Sequence, residues 1–138
     1  MKVVLDTNVW LSGIFWKGEA HNLINNCFDK KIEIIISKDI LNEIIGVVNR
    51  EEKFSKHLKD KKESIEELIR TILSISQLIE TKTKLDIVKV DPKDNIILEV
   101  AFDGKVDYII TYDSHLLNMF EFREIKILNP GEFLKELK

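Results

Sequence analysis

A chain of 138 residues, 44% hydrophobic and 33% charged, is long enough for one sizeable core and too short for two. That mixture excludes disorder and collagen-like repeats, and no apolar run is long enough to cross a bilayer. A net charge of −3 argues against a protein that coats nucleic acid, though it leaves room for a local basic groove.

Val3-Val4-Leu5 is a short apolar run that stops at Asp6-Thr7-Asn8, which predicts a buried strand followed by a helix start. The aspartate interrupts the run too early for a signal peptide. The lone cysteine, Cys27, can form no internal disulfide, so a cytoplasmic location is expected. Val9, Trp10 and Leu11, then Ala20, Leu23, Ile24 and Phe28, recur at helical spacing, with Gly13 and Gly18 marking a break between two helices. Ile32 to Ile36 predicts a second strand, bounded by Lys30-Lys31 before it and Ser37-Lys38-Asp39 after it. Ile40, Leu41, Ile44, Ile45, Val47 and Val48 then make one broad helical face.

Glu51 to Lys62 is highly charged and reads as a connection or a short exposed helix. Ile65, Leu68, Ile69, Ile72 and Leu73 predict a further amphipathic helix, and Leu78-Ile79 and Ile87-Val88 are weak strand candidates. Asp91-Pro92 opens another helix, with Ile96, Ile97, Val100 and Ala101 as its buried side and Gly104 near its end. Tyr108 to Thr111 is a clear strand, Asp113-Ser114 starts a short helix, Ile125 to Leu128 is a last strand, and Pro130 starts a closing helix. Strands that are apolar on both faces and alternate with helices mean a parallel sheet covered on both sides. The expected fold class is therefore α/β, a three-layer doubly wound parallel sheet in one domain over residues 1–138.

Ligands of such a sheet bind outside the carboxyl ends of its strands. Asp6 ends the first strand there, Asp94 lies in the first turn of the helix opened by Pro92, and Asp113 follows the Tyr108 strand. Glu43, beside Ile40 and Val47, can look toward the same edge. Taken singly, each acid is explained as a helix cap or a solvated helix residue, and Asp91, Pro92 and Asp94 resemble a capping box. Together, four carboxylates without a matching arginine repel one another unless a cation offsets them. Oxygen-only ligands suit Mg²⁺ or Mn²⁺. The histidines His21, His57 and His115 are scattered, which argues against zinc, and His115 reads as a surface or helix-start residue.

The sequence resembles the PIN-domain nucleases. The matching pieces are Val3 to Asn8, Ser37 to Ile44, Asp91 to Asn95, Ile109 to Leu117, and the ending Asn129 to Leu134, in order along essentially the whole chain. The resemblance implies a metal-dependent endoribonuclease of single-stranded RNA, often the toxin partnered by an antitoxin protein. It makes Asp6, Glu43, Asp94 and Asp113 the acidic set, with Asn8 and Thr111 as polar support. Asp6 and Asp94 would be the principal metal ligands, Asp113 would bind the metal or a metal-bound water, and Glu43 would hold a second ion or orient the attacking water. Tyr112 departs from the small or polar residue common at its position and would narrow the site.

Lys53, Lys56, Lys59 and Lys62 recur every third residue, a ridge that would contact phosphates or simply stay solvated. Trp10 and Trp16 would stack bases, or more ordinarily serve as core or subunit contacts. Leu11, Phe15 and Trp16 near the loosening Gly13 and Gly18 predict a homodimer, as does the resemblance. An aspartyl-nucleophile phosphatase needs a second aspartate where the chain has Asn8, which disfavours it. A non-catalytic PIN-like module binding RNA or protein is the remaining alternative, and it would be expected to have lost acids.

Overall fold

The computed structural model describes residues 1–29, 32–88, 91 and 93–137. The first strand, β1 (Lys2–Leu5), forms where Val3, Val4 and Leu5 can be fully buried, and Asp6 then caps α1 (Thr7–Phe15). The next elements are α2 (Glu19–Asp29), β2 (Glu33–Ser37), α3 (Lys38–Arg50), α4 (Glu52–Asp60), α5 (Ile65–Ser74) and β3 (Gln77–Ile79). The second part of the chain contains α6 (Lys93–Asp103), β4 (Tyr108–Ile110), α7 (Ser114–Leu117), β5 (Glu121–Phe122), β6 (Ile125–Leu128) and α8 (Pro130–Glu136).

The sheet order is β3-β2-β1-β4-β6-β5, with every pairing parallel except that of β5 with β6. From β1 through β3 the chain steps one way, and from β4 through β6 it steps the other. Right-handed crossovers therefore place the two sets of connecting helices on opposite faces. The fold is a three-layer, doubly wound α/β sheet. Its order reverses between β1 and β4, the position at whose carboxyl edge such sheets bind ligands.

Several expectations need correction. Gly13 does not break a helix: it lies inside α1, where a Cβ would run into the Ile24 side chain and the Ala20 carbonyl. The two helices part at residues 16–18 instead, and Gly13 lets them approach closely. Ile87-Val88 forms no strand, and the antiparallel edge strand β5 was not foreseen. The charged stretch takes the second of its two expected forms, a short and mostly exposed helix, α4, anchored by buried Phe54 and Leu58, with Lys62 beyond its end. α6 is buried more widely than its apolar stripe suggests, because Leu98 and Glu99 are covered too, while Ile96 is only half-buried. Lys30-Lys31 and Pro92 lie outside the described residues.

Trp10 is fully buried core, and Leu11 and Phe15 are also buried within the chain, Phe15 against Phe54. The apolar surface behind the dimer expectation thus reduces to Trp16, which is 45% exposed beside Phe54 and His57.

Candidate metal centre

The register pairs Leu5 with Ile110, so Asp6 and Thr111 leave the sheet side by side at the switch point. The Asp6 backbone N–H donates to the Ile110 carbonyl at 2.9 Å, fixing this end of the ladder. Asp6 is half-buried. Its Oδ1 accepts from the Thr7 N–H at 2.7 Å, and its Oδ2 accepts from the Thr111 hydroxyl at 2.7 Å. Thr111 is fully buried, and its Oγ1 also accepts from the Asp113 N–H at 2.9 Å. One hydroxyl therefore joins the two acidic segments.

Asp113 caps α7: its Oδ1 accepts from the His115 N–H at 2.8 Å and lies 3.3 Å from His115 Nδ1. Asp94, on the first turn of α6, is only 5% exposed, and its Oδ2 has no hydrogen-bond partner among the described residues. The capping-box reading does not account for that oxygen. Asp91 caps the turn by itself, its Oδ1 accepting from the Lys93 N–H at 3.1 Å. Glu43 sits half-buried on α3, whose start at buried Ser37 follows directly from β2.

Electrostatics tie these acids together. Burial, and then the neighbouring Asp113, Asp6 and Asp91 carboxylates, push the Asp94 carboxyl up to about 7. Asp6 is raised by burial despite the Thr111 and Thr7 hydrogen bonds that favour its charged form, with Glu43 and Asp113 adding repulsion. Among the described residues no lysine or arginine forms an ion pair with Asp6, Glu43, Asp94 or Asp113. All four acids thus share one field.

The tightest grouping differs from the sequence-derived ligand set. Asp94, Asp113 and His115 bring ligand atoms within 4.8 Å of one another, while Asp6 stands outside that trio. His115, expected as a surface or helix-start residue, stands at the start of α7 with its Nδ1 beside the Asp113 carboxylate that caps that helix. Asn8 is exposed on the first turn of α1. An unpartnered buried carboxylate oxygen among carboxylates with shared charge fits a hard divalent cation. Asp6 still has free lone pairs for such an ion, since each of its oxygens accepts one hydrogen bond.

The PIN-domain family model matches residues 2–115, a span that includes every one of these acids. The chain belongs to the PIN-domain family. A chain in the crystal structure of VapBC2 from Rickettsia felis bound to a DNA fragment from their promoter shares this PIN fold. Its TM-score is 0.63 at 16% identity, covering 94% of this chain and 98% of that one. Among curated proteins, none matches this PIN domain in sequence.

Proposed function

We propose that this PIN domain, spanning residues 1–138, is an Mg²⁺- or Mn²⁺-dependent endoribonuclease that hydrolyses phosphodiester bonds of single-stranded RNA. The observation that carries the reading is the buried Asp94 carboxylate, whose Oδ2 has no hydrogen-bond partner among the described residues, beside Asp113 and within the charge of Asp6. PIN domains are generally nucleases, and the span matched by the family model, residues 2–115, contains all four acids, which supports the reading.

Asp6, Asp94 and Asp113 would hold the ion, with His115 at its margin. A divalent cation there supplies charge stabilisation at phosphate and lowers the pKa of water near neutral pH. Glu43, whose charge reaches Asp6, would orient the attacking water and take its proton as the new phosphorus–oxygen bond forms. The bond to the leaving oxygen breaks, and that oxygen draws a proton from solvent. Thr111 keeps Asp6 and Asp113 in register while the leaving oxygen departs. Asn8, exposed at the rim, offers its amide to the RNA backbone. The lysines of α4 provide a basic face for phosphates.

The same reading makes the protein a cytoplasmic toxin of a type II toxin–antitoxin pair, with an antitoxin protein as partner and a homodimer as its free form. The fold shared with a chain of VapBC2, solved on promoter DNA, supports the partnership. No helix among the described residues is long and apolar enough to cross a membrane.

Labelled single-stranded RNA incubated with Mg²⁺, Mn²⁺ or EDTA tests the proposal. Cleavage is expected with either ion, and not with EDTA or with Zn²⁺ alone. Cleavage at full rate in EDTA overturns the metal reading.

A further inference from the structure

Residues 80–88 form neither helix nor strand and join no sheet. Three side chains of α6 hold their main chain instead. Asn95, Glu99 and Asp103 are spaced four residues apart, about one helical turn per step, and so share one face. At the far end Asp103 accepts from the Lys82 N–H at 2.7 Å, the Thr83 N–H at 2.9 Å and the Thr83 hydroxyl at 2.6 Å. In the middle, buried Glu99 accepts from the Leu85 N–H at 2.9 Å. At the near end Asn95 Oδ1 accepts from both the Ile87 and Val88 N–H groups, each at 2.9 Å, while its Nδ2 donates to the Val88 carbonyl at 2.9 Å.

The three contacts differ in what they can do. Asn95 is 4% exposed and lies on the first turn of α6, where backbone N–H groups lack intrahelical partners and fixation must come from outside. An amide is required there, because a carboxylate would have no proton for the Val88 carbonyl. Asp94 occupies the adjacent position of the same turn. We propose that Asn95 is a positioning residue of the metal centre: by fastening the first turn of α6 to the 80–88 strap, it holds the Asp94 carboxylate against Asp113 and so sets the affinity for a divalent cation. This inference rests on the metal-dependent nuclease reading. Glu99 and Asp103 keep the strap in place without aiming Asp94.

Calorimetric titration of Mn²⁺ into metal-free wild type, Asn95→Ala and Asp103→Ala separates positioning from general stability. Asn95→Ala is expected to weaken Mn²⁺ binding about 10–100-fold, the usual effect of losing a group that orients a ligand. Asp103→Ala loosens the strap about 12 Å further along the helix and is expected to stay within about twofold of wild type. Both variants should lower the melting temperature, so that measurement alone does not discriminate. In RNA cleavage, Asn95→Ala should lower kcat at limiting Mn²⁺, recover with excess Mn²⁺, and leave the KM for RNA unchanged. Should Asn95→Ala fail to fold, Asn95→Ser keeps a short polar group and is expected to show a smaller loss of the same kind. Equal losses in the position 95 and position 103 variants, or wild-type Mn²⁺ affinity in a folded position 95 variant, overturn the inference. Wild type that neither binds Mn²⁺ nor cleaves RNA overturns the metal reading beneath it, and shows this before any variant is compared.

Discussion

Burial and the neighbouring carboxylates push the Asp94 carboxyl up to about 7 in the folded chain, against an ordinary value of 3.8. Between those values the folded state holds a proton that the unfolded state has released. Its contribution to the stability of metal-free protein is therefore full below about pH 4 and is lost as pH rises to about 7. Asp6, raised for the same reason of burial, acts in the same direction. Asp103 has the opposite sign, because the Thr83 and Lys82 hydrogen bonds lower its pKa, and its contribution is lost only below the ordinary carboxylate range. Melting curves in EDTA should thus show a higher Tm at pH 5 than at pH 8. Asp94→Asn should flatten that difference, because asparagine keeps the shape, carries no charge and can donate to Asp113. The same variant should be at least as stable as wild type at pH 8 and should not cleave RNA. A variant that is active and less stable would mean that Asp94 only caps its helix. Asp6 and Asp113 were legible because each closely follows an apolar strand. Asp94 was legible because it lies in the first turn of the helix that Asp91-Pro92 announces, whereas Glu43 had only its helical spacing. His115 was not legible, since its Nδ1 comes beside Asp113 only through the geometry of the α7 start.

At the scale of elements, the tight turn between β5 and β6 carries two residues with positive φ, Arg123 at 48° and Glu124 at 70°. A two-residue hairpin of this kind favours Asn-Gly, so Arg-Glu gave no hairpin signal and β5 went unread. Arg123 is held by stacking on Phe102 and Phe122, at 4.8 and 5.0 Å from their ring centroids. Glu124 makes no such contact among the described residues. Glu124→Gly is expected to stabilise the protein by about 0.5–1 kcal/mol in denaturant unfolding, since glycine adopts this backbone without strain. An unchanged midpoint would show that the turn relaxes at no cost. Gly13→Ala works in the other direction. Its Cβ would stand 3.1 Å from the Ala20 carbonyl oxygen and press on Ile24. A loss of about 1–3 kcal/mol is expected from forcing α1 and α2 apart, read by the same unfolding curves. Ile87-Val88 forms no strand for a related reason: its main-chain hydrogen bonds run to a helix side chain, Asn95, which hydrophobic pattern does not encode.

Over the whole molecule, the fold class was legible because buried parallel strands write themselves as continuous β-branched runs. The strand order was not, since no local pattern records that the chain turns back past β1 after β3. That reversal brings Asp6 from β1, Asp113 from the end of β4 and Asp94 from the intervening α6 to one edge. An ion held by all three would therefore join both directions of winding, and the unfolded chain would offer it no comparable site. Binding to the folded state alone stabilises by about 2.7 kcal/mol when free ion reaches 100 times its Kd. The Tm of wild type should accordingly rise steadily with the logarithm of Mg²⁺ or Mn²⁺ concentration above Kd, and return to its starting value in EDTA. High NaCl at matched ionic strength should not reproduce the rise, because screening reaches exposed charges more than buried ones. Asp94→Asn should start at or above the wild-type Tm without metal and show little further gain. If wild type and variant climb together, the ion acts on surface charge elsewhere, and the switch-point acids are not its site.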